Sequence, residues 1–381
     1  MGSQEERVRE QPDGSGEGSV GSRGRPAQGP PRQGRVALVS FRLGEADGVS
    51  VVAGHWGEAF RRLGLAVRTV AGAGHADWLL PGLEMDGVAG PDLPGRLAQA
   101  LDGADLVVVE NLCSLPRNPG AAAALARCLA GRPAILHHHD LSWQREEFGD
   151  LPGWPPDDPA WRHVTINELS RRQLADRGLA ATTVYGGIPV PGRGRRTLAR
   201  RLLGVAPDRR LLLQPTRAIP RKNVPAGLAM AEALGADYWL TGPSEDGYGP
   251  ELACLLAATS CRVHRRLPNG LTMDDAYAAC DAVVFPSTWE GFGVPLVEAS
   301  LHRRPLAVGD YPVAAELAAF GLCWFPADDP APLRAFLERP DPTLLARNRT
   351  VALQHFTLDA LVDQLARLLR GAAWGHLLDG A

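Results

Sequence analysis

Short runs of branched apolar residues alternate along this chain with stretches whose apolar positions recur every three or four residues. Gly34 to Ser40 (GRVALVS) is the first such run; a loop over 41–48 (FRLGEADG) follows, and Val49 to Leu63 then shows helical spacing. Leu65 to Val70, Leu106 to Val109, Ala134 to His137 and Val164 to Ile166 are further strand candidates separated by apolar or helical stretches. Alternation of this kind predicts an α/β domain, a mostly parallel sheet covered by helices on both faces. Gly and Pro then cluster over 185–196 (YGGIPVPGRGRR), which breaks regular structure and marks a linker, with the boundary near residue 190. A second round supplies the strand candidates Leu211 to Gln214, Tyr238 to Thr241, Cys261 to His264, Ala282 to Phe285 and Pro305 to Val308, with a helical pattern at Ala226 to Leu234 among them. From Leu358 to Leu369 the apolar residues form one amphipathic stripe.

The expected organisation is therefore a tail over 1–33, an N-terminal α/β domain over 34–189, a second α/β domain over 190–357 and a C-terminal helix over 358–381 able to pack back on the first domain. A tail rich in Gly, Ser, Pro, Gln and Arg cannot bury enough apolar area to offset its ordering entropy, so it is expected to be disordered. With 381 residues and 45% hydrophobic content, two cores of ordinary size are affordable. A formal charge of −3 argues against nucleic acid as partner. Six cysteines without any CxxC pair indicate neither a zinc site nor a disulfide framework. No apolar run approaches the roughly 20 residues of a membrane span, and the polar N-terminus lacks a secretory apolar stretch, so the cytoplasm is the expected compartment and membrane association is not expected. Of 40 basic residues other than histidine, 39 are arginine and Lys222 alone is lysine. That bias reads most simply as coding preference, but a surviving lysine can mark a place where a compact ammonium is needed.

Ligands of open parallel sheets bind at the carboxyl ends of the strands, where loops enter helix N-termini that favour anions. After the strand candidate 282–285 comes Pro286-Ser-Thr-Trp-Glu-Gly-Phe-Gly-Val-Pro-Leu-Val-Glu-Ala-Ser300, which sets Glu290 and Glu298 eight residues apart across a glycine-rich turn. Pro295 suits a first helical turn, and Gly291 and Gly293 allow close backbone approach. Leu211-Leu-Leu-Gln-Pro-Thr-Arg-Ala-Ile-Pro-Arg-Lys222 is a strand followed by Arg217 and Lys222, five residues apart. Three histidines, His137 to His139, precede Asp140 at another strand end; strand neighbours alternate faces, so the three cannot all converge on one metal, and His137 and His138 read as packed or hydrogen-bonded groups.

The stretch EGFGVPLVE resembles the E-x7-E motif of the retaining glycosyltransferases of the GT4 family, and weaker markers such as Thr165 to Glu168, Tyr185 to Pro189 and Thr241-Gly242 extend the resemblance over nearly the whole chain after the tail. It implies the GT-B fold, two Rossmann-like domains facing each other across a cleft, and transfer of a sugar from a UDP- or GDP-sugar donor with retention of configuration. By the same resemblance Arg217 and Lys222 hold the donor diphosphate, His139 reaches the sugar side, Glu290 binds sugar hydroxyls and steadies the reacting centre, and Glu298 accepts from the ribose diol. Gly48 in the first loop, together with Gly291, Phe292, Gly293 and Val294, completes the implied donor site, and no metal or other cofactor is implied. Two departures, Gly186 before the linker and Tyr311-Pro312 after the strand candidate 305–308, bear on donor or acceptor fit. Arg42, Asp47, Asn111 and Trp143 are the candidates for the acceptor pocket, with His55, Glu110 and Arg145 around them, and their polarity points to a hydrophilic small molecule. A nucleotide-sugar epimerase on the same fold and a catalytically silent nucleotide-sugar-binding protein are the alternatives.

Overall fold

The computed structural model describes residues 33–45 and 47–379. The tail expected over 1–33 lies outside the described residues apart from Gln33, as do Ala46 and residues 380–381.

The first half builds strands β1 (Arg35–Leu43), β2 (Ala66–Gly74), β3 (Trp78–Leu79), β4 (Leu106–Glu110), β5 (Ala134–His138), β6 (Trp161–Thr165) and β7 (Ala181–Thr183), with helices α1 (Gly48–Arg62), α2 (Leu93–Ala100), α3 (Pro119–Leu129) and α4 (Glu168–Ala175) between them. All seven pair in parallel in the order β3-β2-β1-β4-β5-β6-β7. The second half adds α5 (Arg196–Leu203), β8 (Leu211–Gln214), α6 (Val224–Ala233), β9 (Asp237–Leu240), α7 (Gly249–Ala258), β10 (Val263–Arg265), α8 (Met273–Ala279), β11 (Ala282–Phe285), α9 (Val294–Leu301), β12 (Leu306–Val308), α10 (Pro312–Ala319), β13 (Phe325–Pro326), α11 (Pro330–Glu338), α12 (Pro342–His355) and α13 (Leu358–Gly371). Its six strands are also parallel, in the order β10-β9-β8-β11-β12-β13. Strand order reverses between β1 and β4 in one sheet and between β8 and β11 in the other, so each sheet has one crevice at its carboxyl edge.

Both faces of each sheet are covered, which explains why the strands read as continuous apolar runs. Val107 and Val109 of β4 pack with Leu97 and Leu125 under α2 and α3, while Val108 faces Trp56, Phe60 and Leu365. In the second sheet Val283 and Phe285 pack towards α9 and α12, and Val284 towards Leu228 and Ala231 of α6. Helix α13 follows an N-cap in which the Thr357 side chain accepts from Ala360 N, and its Leu361, Leu365 and Leu369 are fully buried in the core shared with α1 and β1. The chain thus crosses between the sheets twice, and the crossings run side by side: Ile188 N donates to Phe356 O at 2.8 Å and Leu358 N to Ile188 O at 3.2 Å. Strands β3, β7 and β13, two or three residues each, are too short to show periodicity and were absent from the expected set; β1 and β2 run three and four residues further than their apolar runs, to Leu43 and Gly74.

Candidate active site

The loops after β8 and β11 are tied together at the crevice of the second sheet. Gln214, the last residue of β8, donates through Nε2 to Lys222 O at 2.9 Å, and Thr288 N donates to Arg221 O at 2.9 Å. This pairing brings the single lysine against Glu290: Lys222 Nζ donates to Glu290 Oε1 and lies 5.4 Å from the centroid of the Phe285 ring. Arg221 takes the other oxygen, Nη1 donating to Glu290 Oε2 and to Trp289 O, each at 2.9 Å. Lys222 and Glu290 are both buried. Burial pushes the Lys222 ammonium down to about 8, with Glu290 acting in the opposite direction. Arg217 stands apart from this cluster, half-exposed and paired with Glu245 at 2.6 Å. Arg221, which reads in the sequence as a solvated loop cation more than its neighbours do, is the arginine that reaches Glu290.

Helix α9 opens beside these groups. Its N-cap is Gly293, with φ +99° and no side chain to occupy the first N–H groups; a Cβ there would sit 2.5 Å from the hydroxyl of Tyr311. Pro295 lies in the first turn, as its lack of an N–H favours. Phe292 is buried against Tyr185 and Phe356, and Val294 is exposed at the rim. Glu298, in the second turn, accepts from the Tyr277 hydroxyl at 2.7 Å. Burial raises its carboxyl above the usual range, Tyr277 opposing and Asp274 adding to the shift.

At the crevice of the first sheet, alternation along β5 sends His138 to one face and His137 and His139 to the other. His137 Nδ1 and His139 Nε2 meet the same oxygen, Oε2 of the fully buried Glu110, at 2.8 and 2.7 Å. Burial works to raise the Glu110 carboxyl, but His137 and His139 outweigh it and hold it down at about 2. The three donor atoms could in principle surround a metal ion. However, nitrogen and oxygen ligands about 2.0–2.2 Å from a tetrahedral ion stand roughly 3.3–3.5 Å apart, so the observed separations are those of hydrogen bonds. On the other face a polar chain runs from Ser114 Oγ to His138 Nδ1 (2.6 Å), from His138 Nε2 to His163 Nδ1 (2.8 Å) and from His163 Nε2 to Asp157 (3.0 Å). Burial lowers both of these imidazoles. Their neutral rings let each donate once and accept once, which satisfies the chain.

The acceptor candidates are largely engaged within the chain. Asn111, at φ +60°, uses Oδ1 to accept from His139 N and Asp140 N at 3.1 and 3.2 Å, so its oxygen shapes the strand end. Trp143 donates to Gln173 at 3.0 Å, with the Arg177 guanidinium 3.7 Å from its ring centroid. Arg42 is half-exposed between Glu45 and Asp47, and Asp47 also caps α1 by accepting from Val49 N and Ser50 N. Gly48 begins α1 with open space around its Cα.

The two crevices face each other. Asn167 Nδ2, at the start of α4, donates to Gly291 O at 2.6 Å, and a Cβ on Gly291 would stand 3.3 Å from the His139 carbonyl oxygen. Glu316 of α10 accepts from Glu168 N at 2.7 Å and from the Tyr185 hydroxyl at 2.6 Å. Two parallel α/β sheets with opposed carboxyl edges, one bearing the Glu290 to Glu298 motif at a helix N-terminus, make up the GT-B fold. Residues 224–339 match the family model "Glycosyl transferases group 1". The chain is similar to glycosyltransferases of this group 1, GT4-like type. It is 24% identical to the mannosylglucosylglycerate synthase of Thermotoga maritima, over 87% of this chain and 99% of that protein. It is 29% identical to the D-inositol 3-phosphate glycosyltransferase of Actinosynnema mirum, over 76% of this chain and 84% of the relative. Among solved structures, Anabaena HepE in complex with UDP-glucose superposes with a TM-score of 0.68 at 18% identity, over 88% of this chain and 99% of that one.

Proposed function

We propose that the protein transfers a sugar from a nucleoside diphosphate donor to a hydrophilic small-molecule acceptor, with retention of configuration and without a metal ion, in the cytoplasm. The observation that carries this reading is the buried pair Lys222 and Glu290, with the partly exposed Arg221, beside the uncapped N-terminus of α9. Departure of a nucleoside diphosphate builds negative charge on the leaving oxygen, and fixed cations with a helix N-terminus stabilise it where water is excluded. Lys222, with Arg217 at the mouth, takes that charge in place of a divalent ion. Diphosphate competes with Glu290 for the Lys222 ammonium, and the carboxylate so released turns to the sugar hydroxyls and the cationic centre of the transition state. Glu298, fixed by Tyr277, accepts from the ribose. The leaving phosphate oxygen takes the acceptor proton on the face it vacates, which preserves configuration and needs no covalent nucleophile.

The solved UDP-glucose complex of a similar fold supports a UDP- or GDP-sugar donor. The names of the two relatives support a small polar acceptor, and six free thiols suit a reducing compartment. The test is transfer from a panel of nucleotide sugars by the wild type and by two Lys222 variants. Lys222→Ala is expected to lose about 2–4 kcal/mol of transition-state stabilisation, roughly 30- to 1000-fold in kcat/KM. Lys222→Arg should also fail, because a planar fork does not reproduce the compact ammonium held between Glu290 and Phe285. Retention of more than about a third of kcat/KM by Lys222→Ala would refute the diphosphate role.

A further inference from the structure

The structure assigns to Glu110 a part in the transfer reaction: we propose that it is a positioning residue that takes the Nε2–H of His139 and thereby presents Nδ1 of His139 to the donor sugar as a hydrogen-bond acceptor. This rests on the reading that His139 faces the donor, and it adds which ring nitrogen does so and what decides it.

Three observations lead to it. First, the His139 backbone is fixed independently of its ring. Asn111 Oδ1 holds the N–H groups of His139 and Asp140, and the carbonyl of His139 lies against Gly291 of the opposite crevice. With the main chain set, ring rotation alone decides what the imidazole offers.

Second, the ring is anchored from one side. His139 Nε2 stands 2.7 Å from Glu110 Oε2, and an ionised carboxylate only accepts, so the proton sits on Nε2. Nδ1 makes no hydrogen bond among the described residues, and His139 keeps 7% exposure whereas Glu110 and His137 keep none. In the neutral ring Nδ1 is then the nitrogen without a proton, and it is the one left for a ligand.

Third, the anchor is itself held. His137 donates through Nδ1 to the same oxygen and stacks on Trp56 of α1, ring centroids 4.1 Å apart and planes 27° apart. Glu110 ends β4 at the point where strand order reverses, and among the described residues no arginine or lysine pairs with it. Both imidazoles bond Oε2, while Oε1 is buried without a partner among the described residues; such a carboxylate is costly unless both bonds are kept, which couples its charge to the setting of the His139 ring.

The experiment compares Glu110→Gln, His139→Ala and the double variant for kcat and donor KM, and reads histidine ring nitrogens by 15N NMR on the full wild-type chain. Glu110→Gln is expected to lower kcat roughly 10- to 100-fold, as for loss of one charge-assisted hydrogen bond, with donor KM within about threefold. The double variant should be no slower than His139→Ala within about threefold. In the wild type, His139 should carry its proton on Nε2. Multiplying effects in the double variant, near-normal kcat in Glu110→Gln, a His139 proton on Nδ1, or stoichiometric metal in the purified protein that Glu110→Gln abolishes would each overturn the proposal. Should Glu110→Gln fail to fold, the wild-type ring spectrum still decides. Full activity in His139→Ala removes the donor-facing role of His139 itself. An inactive His139→Ala beside a normal Glu110→Gln removes only the part given to Glu110.

Discussion

Lys222 combines three properties rarely found in one lysine: it is the only one in the chain, it is buried, and its partner is a carboxylate of the Glu290 to Glu298 motif. Burial holds its ammonium down to about 8. If its charge binds diphosphate, kcat/KM falls as pH rises through about 8, and the limb lies higher in kcat because bound diphosphate favours the charged form. Stability moves the other way. The folded value lies below the roughly 10.4 of an unfolded lysine, so between these two values the unfolded chain binds more protons and this group adds stability as pH rises. Activity lost near pH 8 without loss of Tm is therefore the expected pair of results, and an alkaline limb surviving in Lys222→Ala would assign it elsewhere. Glu298 gives a second test at this scale. Its carboxylate is fixed by Tyr277 and half-buried on α9, and Glu298→Ala should weaken donor binding by about 1–3 kcal/mol through lost charge-assisted hydrogen bonds, with a smaller effect on the chemical step. Calorimetry on the folded variant checks it; an unchanged donor Kd would withdraw the ribose contact.

Among the elements, α13 joins the two halves of the chain most directly. It follows the second sheet in sequence yet buries Leu361, Leu365 and Leu369 with Trp56 and Phe60 of α1 and Leu38 of β1. Its amphipathic stripe was plain in the sequence, whereas the surface that covers the stripe was not. Leu365→Ala opens a cavity where neighbours from three elements meet, and should cost about 2–5 kcal/mol. Chemical denaturation checks the value. A loss below about 1 kcal/mol would mean that α13 is not held to the first sheet by this face. The segments around Ile188 and Phe356, whose backbones pair, are the two points at which the chain passes from one sheet to the other.

For the molecule as a whole, the two crevices meet through Asn167 and Gly291, and through Glu316 with Glu168 and Tyr185. On the proposed function, the charge of a bound diphosphate is met by side chains and a helix N-terminus. Turnover is thus expected to persist in excess EDTA, and a loss of activity restored by Mn²⁺ or Mg²⁺ would contradict that mechanism. Among the described residues no helix is long and apolar enough to cross a membrane.

What the sequence determined by itself was everything carried by local order. Strand and helix periods, the Gly/Pro break at the linker, and the strand–turn–helix around Glu290 are written within a few residues of one another, because hydrogen-bond geometry and side-chain spacing act over that range. Residues 226–234 and 358–369 were read as helices; α6 covers the first up to Ala233, with Leu234 its C-cap, and α13 covers all of the second. Two α/β domains followed from these local signals, and the GT-B class from the resemblance of the motif they frame. Tertiary structure alone decided which side chains from distant segments share an atom. Arg221 outreaches Arg217 because the loop after β8 is bonded to the loop after β11. His137 and His139 converge because alternation on β5 meets a glutamate from β4, 27 and 29 residues away. A buried acid closing the run Leu106-Val-Val-Val-Glu110 was the one visible trace of that cluster, since an unpaired carboxylate is seldom buried. Which groups would satisfy it depended on strand order, and strand order is set by packing between elements that no local spacing encodes.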